Sequence, residues 1–168
     1  MEIENIEETL GLYLKAKGLL IATAESCTGG LIASRLTNIA GSSAYFLGGM
    51  VTYSNESKMR WLGVKEETLQ NHGAVSRETV EEMASGLVKK MEDDCDPSRL
   101  LTIAISGIAG PDGGTPTKPV GTVWISWVFN HQTHSQGYQF HGDRISIKEQ
   151  SATQALSSAL QFLEKVLD

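Results

Sequence analysis

Ser26 lies in the segment Ala24-Glu25-Ser26-Cys27-Thr28-Gly29-Gly30, directly after the apolar run Leu19-Leu20-Ile21-Ala22. The apolar run reads as a buried strand, and Leu31-Ile32-Ala33-Ser34-Arg35-Leu36 reads as a helix. Ser26 therefore falls where a strand ends and a helix begins. Such a junction presents unpaired backbone N–H groups and the positive end of a helix dipole. A serine nucleophile placed there would have an oxyanion stabiliser built in. The competing reading makes Ser26 or Thr28 a helix N-cap, the ordinary use of a hydroxyl at such a position.

A serine hydroxyl is a weak nucleophile and needs a base. Of the four histidines, His131 and His134 flank a hairpin turn and His141 precedes Gly142-Asp143, all surface settings; only His72 is a candidate for a pocket. No Gly-x-Ser-x-Gly elbow is present. Lysine is the other possible base. Lys58 opens a short helix next to the strand end at Tyr53. A lysine in a dry pocket loses its proton near neutral pH and can activate a serine, with Tyr53 relaying the proton or holding the amine. Singly, Lys58 would be an exposed helix residue and Tyr53 a packing aromatic. Cys27 reads as a small buried filler rather than a second nucleophile.

The loop Gly107-Ile108-Ala109-Gly110-Pro111-Asp112-Gly113-Gly114 follows another buried strand and holds more glycines than an ordinary turn needs. Its N–H groups can approach a ligand closely, although no Gly-Lys-Ser/Thr ending makes it a Walker A loop. Arg144 offers a cation for a phosphate or a partner for a nearby carboxylate. The histidines and carboxylates show no metal-type spacing, so neither a metal nor a cofactor is expected.

These residues must be positioned by a framework. Ile3, Ile6, Leu10 and Leu14 keep helical spacing up to Gly18. A second strand is expected over Tyr45 to Tyr53, with Gly48-Gly49 marking a close approach. Ser54 to Lys58 opens a helix stopped at Gly63, Asn71-His72-Gly73 is a turn, and Ser76 caps a helix with the stripe Val80, Met83, Ala84, Leu87. Strands are expected over Leu100 to Ser106, Val120 to Phe129 and Ser135 to Phe140, the last two paired near Asn130-His131. A final helix follows Asp143 or Ser146. In open α/β sheets ligands collect outside strand ends. The segments at Ser26, at Tyr53 to Lys58 and at Gly107 to Gly114 all follow strand ends and can share one pocket.

The chain has 168 residues, enough for one domain with a sizeable core, spanning 1–168 as an α/β fold with a mixed sheet and helices on both faces. A net charge of -6 argues against broad nucleic-acid binding. There is no apolar run long enough for a membrane span and no apolar signal core near Met1, so a cytoplasmic protein with no membrane association is expected. Cys27 and Cys95 read as free thiols.

Taken together, several segments resemble the CinA C-terminal-domain family: Ala24 to Gly30, Gly41-Ser42-Ser43, Val51 to Lys58, His72 to Ser76, Ser106 to Gly114, Pro119 to Trp124 and Gly142-Asp143-Arg144. The similarity runs from the first helix to the last, with the motifs in fixed order. It implies a three-layer α/β/α domain, an oligomer of identical chains, and a nicotinamide-nucleotide amidase. Such an enzyme hydrolyses the carboxamide of nicotinamide mononucleotide to nicotinate mononucleotide and ammonia. On this resemblance Ser26 is the nucleophile, Tyr53 and Lys58 activate it, and the chain looks like the stand-alone form without an N-terminal molybdopterin-binding-like domain. The N–H groups around Thr28, Gly29 and Gly30 would hold the oxyanion. Gly107, Gly110, Gly113, Gly114 and Arg144 would take the substrate and its phosphate. Two other readings stand beside it: a nucleotide-binding regulatory module without turnover, and an amidase for another small amide.

Overall fold

The computed structural model describes residues 5–168. The chain runs through α1 (Ile6–Lys17), β1 (Leu20–Glu25), α2 (Leu31–Thr37), β2 (Phe46–Val51), α3 (Asn55–Leu62), α4 (Glu66–His72) and α5 (Arg77–Met91). It continues through β3 (Leu100–Gly107), β4 (Thr122–Phe129), β5 (Gln132–Gln139) and α6 (Arg144–Leu167). The strands form one sheet in the order β2-β1-β3-β4-β5. β1 is parallel to both β2 and β3, while β4 and β5 add antiparallel pairs. At the hairpin tip Asn130 and His131 both take positive φ, 46° and 65°, the left-handed pair that suits a two-residue connection between twisted strands.

Strand alternation divides the core in two. Ile21, Leu101, Ile103, Ile105 and Trp127 face Ile6, Leu10, Leu14, Ile32, Leu36, Leu156 and Leu163, which places α1, α2 and α6 on one side. Ala22, Ala24 and Ala104 face Leu62, Val64, Val80, Met83, Ala84 and Leu87, which places α3 and α5 on the other. The result is the three-layer arrangement with a mixed sheet that the sequence implied.

The second face is built from small residues, so α5 sits close to the sheet, and the Thr102 hydroxyl donates to the Ala84 carbonyl at 3.2 Å. α3 in turn packs on α5 through Gly86. A Cβ there would overlap the Leu62 carbonyl oxygen. Gly49 in β2 answers the close approach expected within that strand, because a Cβ would run into the Thr23 hydroxyl.

Helix ends follow the sequence signals. Ser54, Ser76 and Asp143 cap α3, α5 and α6, accepting from the N–H groups of Ser57, Thr79 and Ser146 at 3.1, 3.2 and 2.8 Å. Two local readings change. The Asn71-His72-Gly73 turn is the end of a helix, α4, which has no fully buried residue and sets only Leu69 partly against the core, so no apolar stripe reveals it. The helix after Ser26 starts only at Leu31, with Gly30 at its N-cap, so neither Ser26 nor Thr28 caps it. Ile3 lies outside the described residues. Among those residues no helix is long and apolar enough to cross a membrane.

Candidate active site

Ser26 is the first residue beyond β1, and its N–H donates to the Ile105 carbonyl at 3.0 Å. That bond keeps the backbone extended for one more residue. By alternation the Ser26 side chain falls on the same face as Ala22 and Ala24, where α3 and α5 lie. Lys58 reaches the same point from the first turn of α3. Its Nζ lies 2.9 Å from Ser26 Oγ and donates to the Thr52 and Tyr53 carbonyls at 2.7 and 3.2 Å.

Lys58 is only 1 % exposed. Among the described residues no carboxylate pairs with it. Burial disfavours the ammonium form, and desolvation lowers its pKa from 10.5 to about 8. Two of its amine positions are fixed by main-chain carbonyls, which leaves the third for Ser26. In the neutral amine the lone pair then faces the serine proton. The opposite holds for Cys27. Burial pushes its thiol up to about 12, so it stays protonated and is a poor nucleophile.

The serine–lysine pair lies in a cleft of about 210 Å³ lined by Ser26, Cys27, Lys58, Tyr53, Ser106, Gly107, Ala109 and Arg144, with Ala74 and Val75 as an apolar wall. Larger grooves exist, including one of about 440 Å³ along α3 and α5, but its lining holds no hydroxyl set against a buried amine.

The remaining residues singled out by sequence divide into two groups. Tyr53, Gly107 and Arg144 line the cleft with Ser26 and Lys58. Tyr53 holds the amine, one of its two expected roles, but through its carbonyl; the residue is 61 % exposed and its phenol accepts from Arg144 Nη2 at 3.0 Å. Arg144 Nη1 donates to the Gly110 carbonyl at 2.6 Å, so Gly110 supports the arginine from outside the cleft lining. Gly113 and Gly114 are exposed in the same loop, away from that lining. His72 is exposed at the end of α4, 3.7 Å from Glu78, and is not part of the cleft lining.

Thr28, Gly29 and Gly30 also stand outside the cleft lining. The Thr28 hydroxyl donates to Glu25 at 2.7 Å, the Gly29 N–H donates to the Ser26 carbonyl at 3.1 Å, and Gly30 serves α2. The reason is Glu25, to which the sequence reading gave no role. Its carboxylate is 1 % exposed and accepts from the Ile32 and Ala33 N–H groups at 2.9 and 3.0 Å and from the Thr23 hydroxyl at 3.4 Å. It thereby satisfies N–H groups in the first turn of α2 from within the protein. An acidic residue just before a helix start is a visible capping signal, but only the fold shows which way it turns. Ser106, at the end of β3, likewise carries no chemical signal in the sequence but lines the cleft.

A family model for the CinA C-terminal domain matches residues 3–163. The chain is 46 % identical to the nicotinamide-nucleotide amidohydrolase PncC of Escherichia coli K12, over 97 % of this chain and 96 % of that protein. It is 51 % identical to a CinA-like protein of Chloroherpeton thalassium over 94 % of this chain. There the match spans 37 % of the relative's length, and four similar proteins give 37–39 %. Among solved structures, a CinA superfamily protein of Klebsiella pneumoniae superposes with a TM-score of 0.89 at 36 % identity, covering 98 % of this chain and 99 % of the other. The competence damage-inducible protein A of the same species gives 0.87 at 38 % identity, with 95 % of each chain covered. The chain belongs to the CinA C-terminal domain family.

Proposed function

We propose that this protein is a nicotinamide-nucleotide amidohydrolase in which Ser26 is the nucleophile and Lys58 the general base. The observation that carries the mechanism is the buried, carboxylate-free amine held 2.9 Å from the serine hydroxyl. The substrate rests on the likeness to PncC over nearly both full chains.

Neutral Lys58 takes the Ser26 proton as Oγ adds to the carboxamide carbon, and the carbonyl electron pair moves onto oxygen. Collapse of this intermediate expels ammonia, which receives its proton from the Lys58 ammonium, and leaves a Ser26 ester. Water then adds to the ester, passing a proton to Lys58. The ester oxygen leaves as the Ser26 hydroxyl, and nicotinate mononucleotide is released. Tyr53 orients the base through its carbonyl, and its phenol joins Arg144 at the rim. The cleft of about 210 Å³ takes the pyridine carboxamide, and the ribose phosphate extends toward Arg144.

Ammonia release from nicotinamide mononucleotide, nicotinamide riboside and nicotinamide tests this reading. The mononucleotide is the expected substrate, and Ser26→Ala is expected to abolish turnover while the mononucleotide still binds. Binding without ammonia release by the wild-type protein would identify a regulatory module instead. Preference for an unphosphorylated amide would identify another amidase.

A further inference from the structure

An amide hydrolase needs hydrogen-bond donors aimed at the oxygen that becomes negative in the transition state. Glu25 consumes the Ile32 and Ala33 N–H groups at the start of α2, and the Gly29 N–H is bonded to the Ser26 carbonyl. That leaves fewer donors at the start of α2, and the end of β3 brings a further one to another wall of the cleft.

Glu25 pairs with Ile105 across β1 and β3, and the Ser26 N–H bonds to the Ile105 carbonyl. Ser26 and Ser106 thus follow one another on adjacent parallel strands. Side chains alternate with period two, so Ser106 shares the face of Ala104 as Ser26 shares that of Ala24. Ser106 is 1 % exposed and lines the cleft with Ser26 and Lys58. Of the other buried hydroxyls, Thr28, Ser76, Thr102 and Ser151 are engaged with Glu25, Gly73, Ala84 and Ile147, while Tyr13, Tyr45 and Thr52 lack a partner but do not line the cleft. The Ser106 hydroxyl makes no hydrogen bond among the described residues, and its open direction is the cleft. Its oxygen is not one of the occluded unpartnered atoms, so within the cleft its hydroxyl is open to a substrate group.

We propose that Ser106 is a catalytic residue whose hydroxyl donates a hydrogen bond to the substrate carboxamide oxygen. The inference rests on the serine–lysine reading above. As Ser26 Oγ bonds to the carbon, the carbonyl electron pair moves onto oxygen and the Ser26 proton passes to Lys58. Ser106 keeps its own proton, and its hydrogen bond strengthens as the charge develops.

The test compares wild type, Ser106→Ala and Ser106→Thr for ammonia release from nicotinamide mononucleotide. Pyridine-3-boronic acid serves as an inhibitor that forms a tetrahedral adduct on Ser26. Loss of one oxyanion donor lowers kcat by about 10²–10³-fold, so Ser106→Ala is expected to lose that much kcat with KM within about threefold. Its inhibition by the boronic acid weakens in step, and the pH limb of Lys58 stays in place. Ser106→Thr retains the hydroxyl and recovers most of kcat. Should Ser106→Ala fail to fold, as judged by circular dichroism, Ser106→Cys keeps the shape with a weaker donor and carries the same expectation. A Ser106→Ala kcat within about threefold of wild type overturns the proposal. So does a loss confined to KM with boronic acid inhibition unchanged. Wild-type protein that releases no ammonia overturns the amidase reading as well, whereas active wild type with an equally active Ser106→Ala overturns Ser106 alone.

Discussion

The Ser26 hydroxyl and the Lys58 amine lie 2.9 Å apart although 32 positions separate them in the chain. The contact exists because β1 and β2 are parallel neighbours and α3 begins four residues after β2 ends. The end of β1 delivers the serine, and the first turn of α3 returns the lysine over it. Two carbonyls just before α3, those of Thr52 and Tyr53, then fix the amine.

Activity is expected to rise with pH along a limb near pH 8. A lysine with a pKa of about 8 is neutral in roughly a tenth of molecules at pH 7 and in most of them at pH 9. The limb belongs to the serine–lysine pair as a unit. Lys58→Arg keeps the charge but cannot give up its proton, so kcat is expected to fall by about 10²-fold or more. A pH profile of kcat/KM checks both statements. A flat profile from pH 6 to 9, or a Lys58→Arg enzyme with most of its kcat, would assign the base elsewhere.

The same burial has a stability consequence with a definite sign. The folded pKa of Lys58, about 8, lies below the ordinary value of 10.5. Between these values the unfolded chain holds more protons, so stability rises with pH across that window. Below pH 8 both states are protonated and the full penalty stands. Lys58→Met removes this dependence. Its stability relative to wild type is expected to be most favourable at pH 7 and to decline by roughly 3 kcal/mol by pH 10.5. Urea denaturation at pH 7, 8.5 and 10 measures the difference, and a pH-independent difference would show that the amine is solvated.

Tyr53 and Arg144 are expected to govern substrate binding rather than the chemical step. The phenol touches the arginine at 3.0 Å, and only the Tyr53 carbonyl touches Lys58. Tyr53→Phe should therefore keep kcat within about threefold. Arg144→Gln should lower kcat/KM for the mononucleotide at least tenfold and change the riboside much less, since a charge-assisted hydrogen bond contributes about 1.5–3 kcal/mol. Equal losses on the two substrates would remove Arg144 from phosphate recognition, and a Tyr53→Phe enzyme without measurable kcat would restore the phenol to the proton path.

Glu25→Gln is expected to destabilise the fold by about 1–3 kcal/mol. The carboxylate accepts from two hydroxyls and two backbone N–H groups. A carboxamide has one oxygen and would turn its NH₂ toward donors. The urea midpoint at pH 7 is the measurement, and an unchanged midpoint would mean that the carboxylate is dispensable to the turn carrying Ser26.

Much of the framework was legible because it is written in local periodicity. The stripe Val80, Met83, Ala84 and Leu87, the capping residues Ser54, Ser76 and Asp143, and the hairpin at Asn130-His131 all declare themselves within a few residues. Ser26 and Lys58 were legible by type and by their places at strand ends. Three features were not. α4 has no fully buried residue and only Leu69 packs partly on the core, so no apolar stripe marks it. Glu25 could have faced solvent, and its inward turn is decided by donors on α2 and the Thr28 turn. Tyr53 was named for its phenol, but main-chain atoms carry no residue identity, so the carbonyl that holds Lys58 leaves no trace in the sequence.

The contact between Gly86 and the Leu62 carbonyl makes α3 and α5 touch backbone to backbone, with no side chain between them to change rotamer. The helix that carries Lys58 is thereby mounted on a rigid stop. Substitutions around the cleft can alter which amide enters, but the reach of the lysine toward the serine is gauged by a hydrogen atom at a position that lines no part of that cleft. The tolerance of the serine–lysine spacing is thus machined into a helix crossing beyond the cleft.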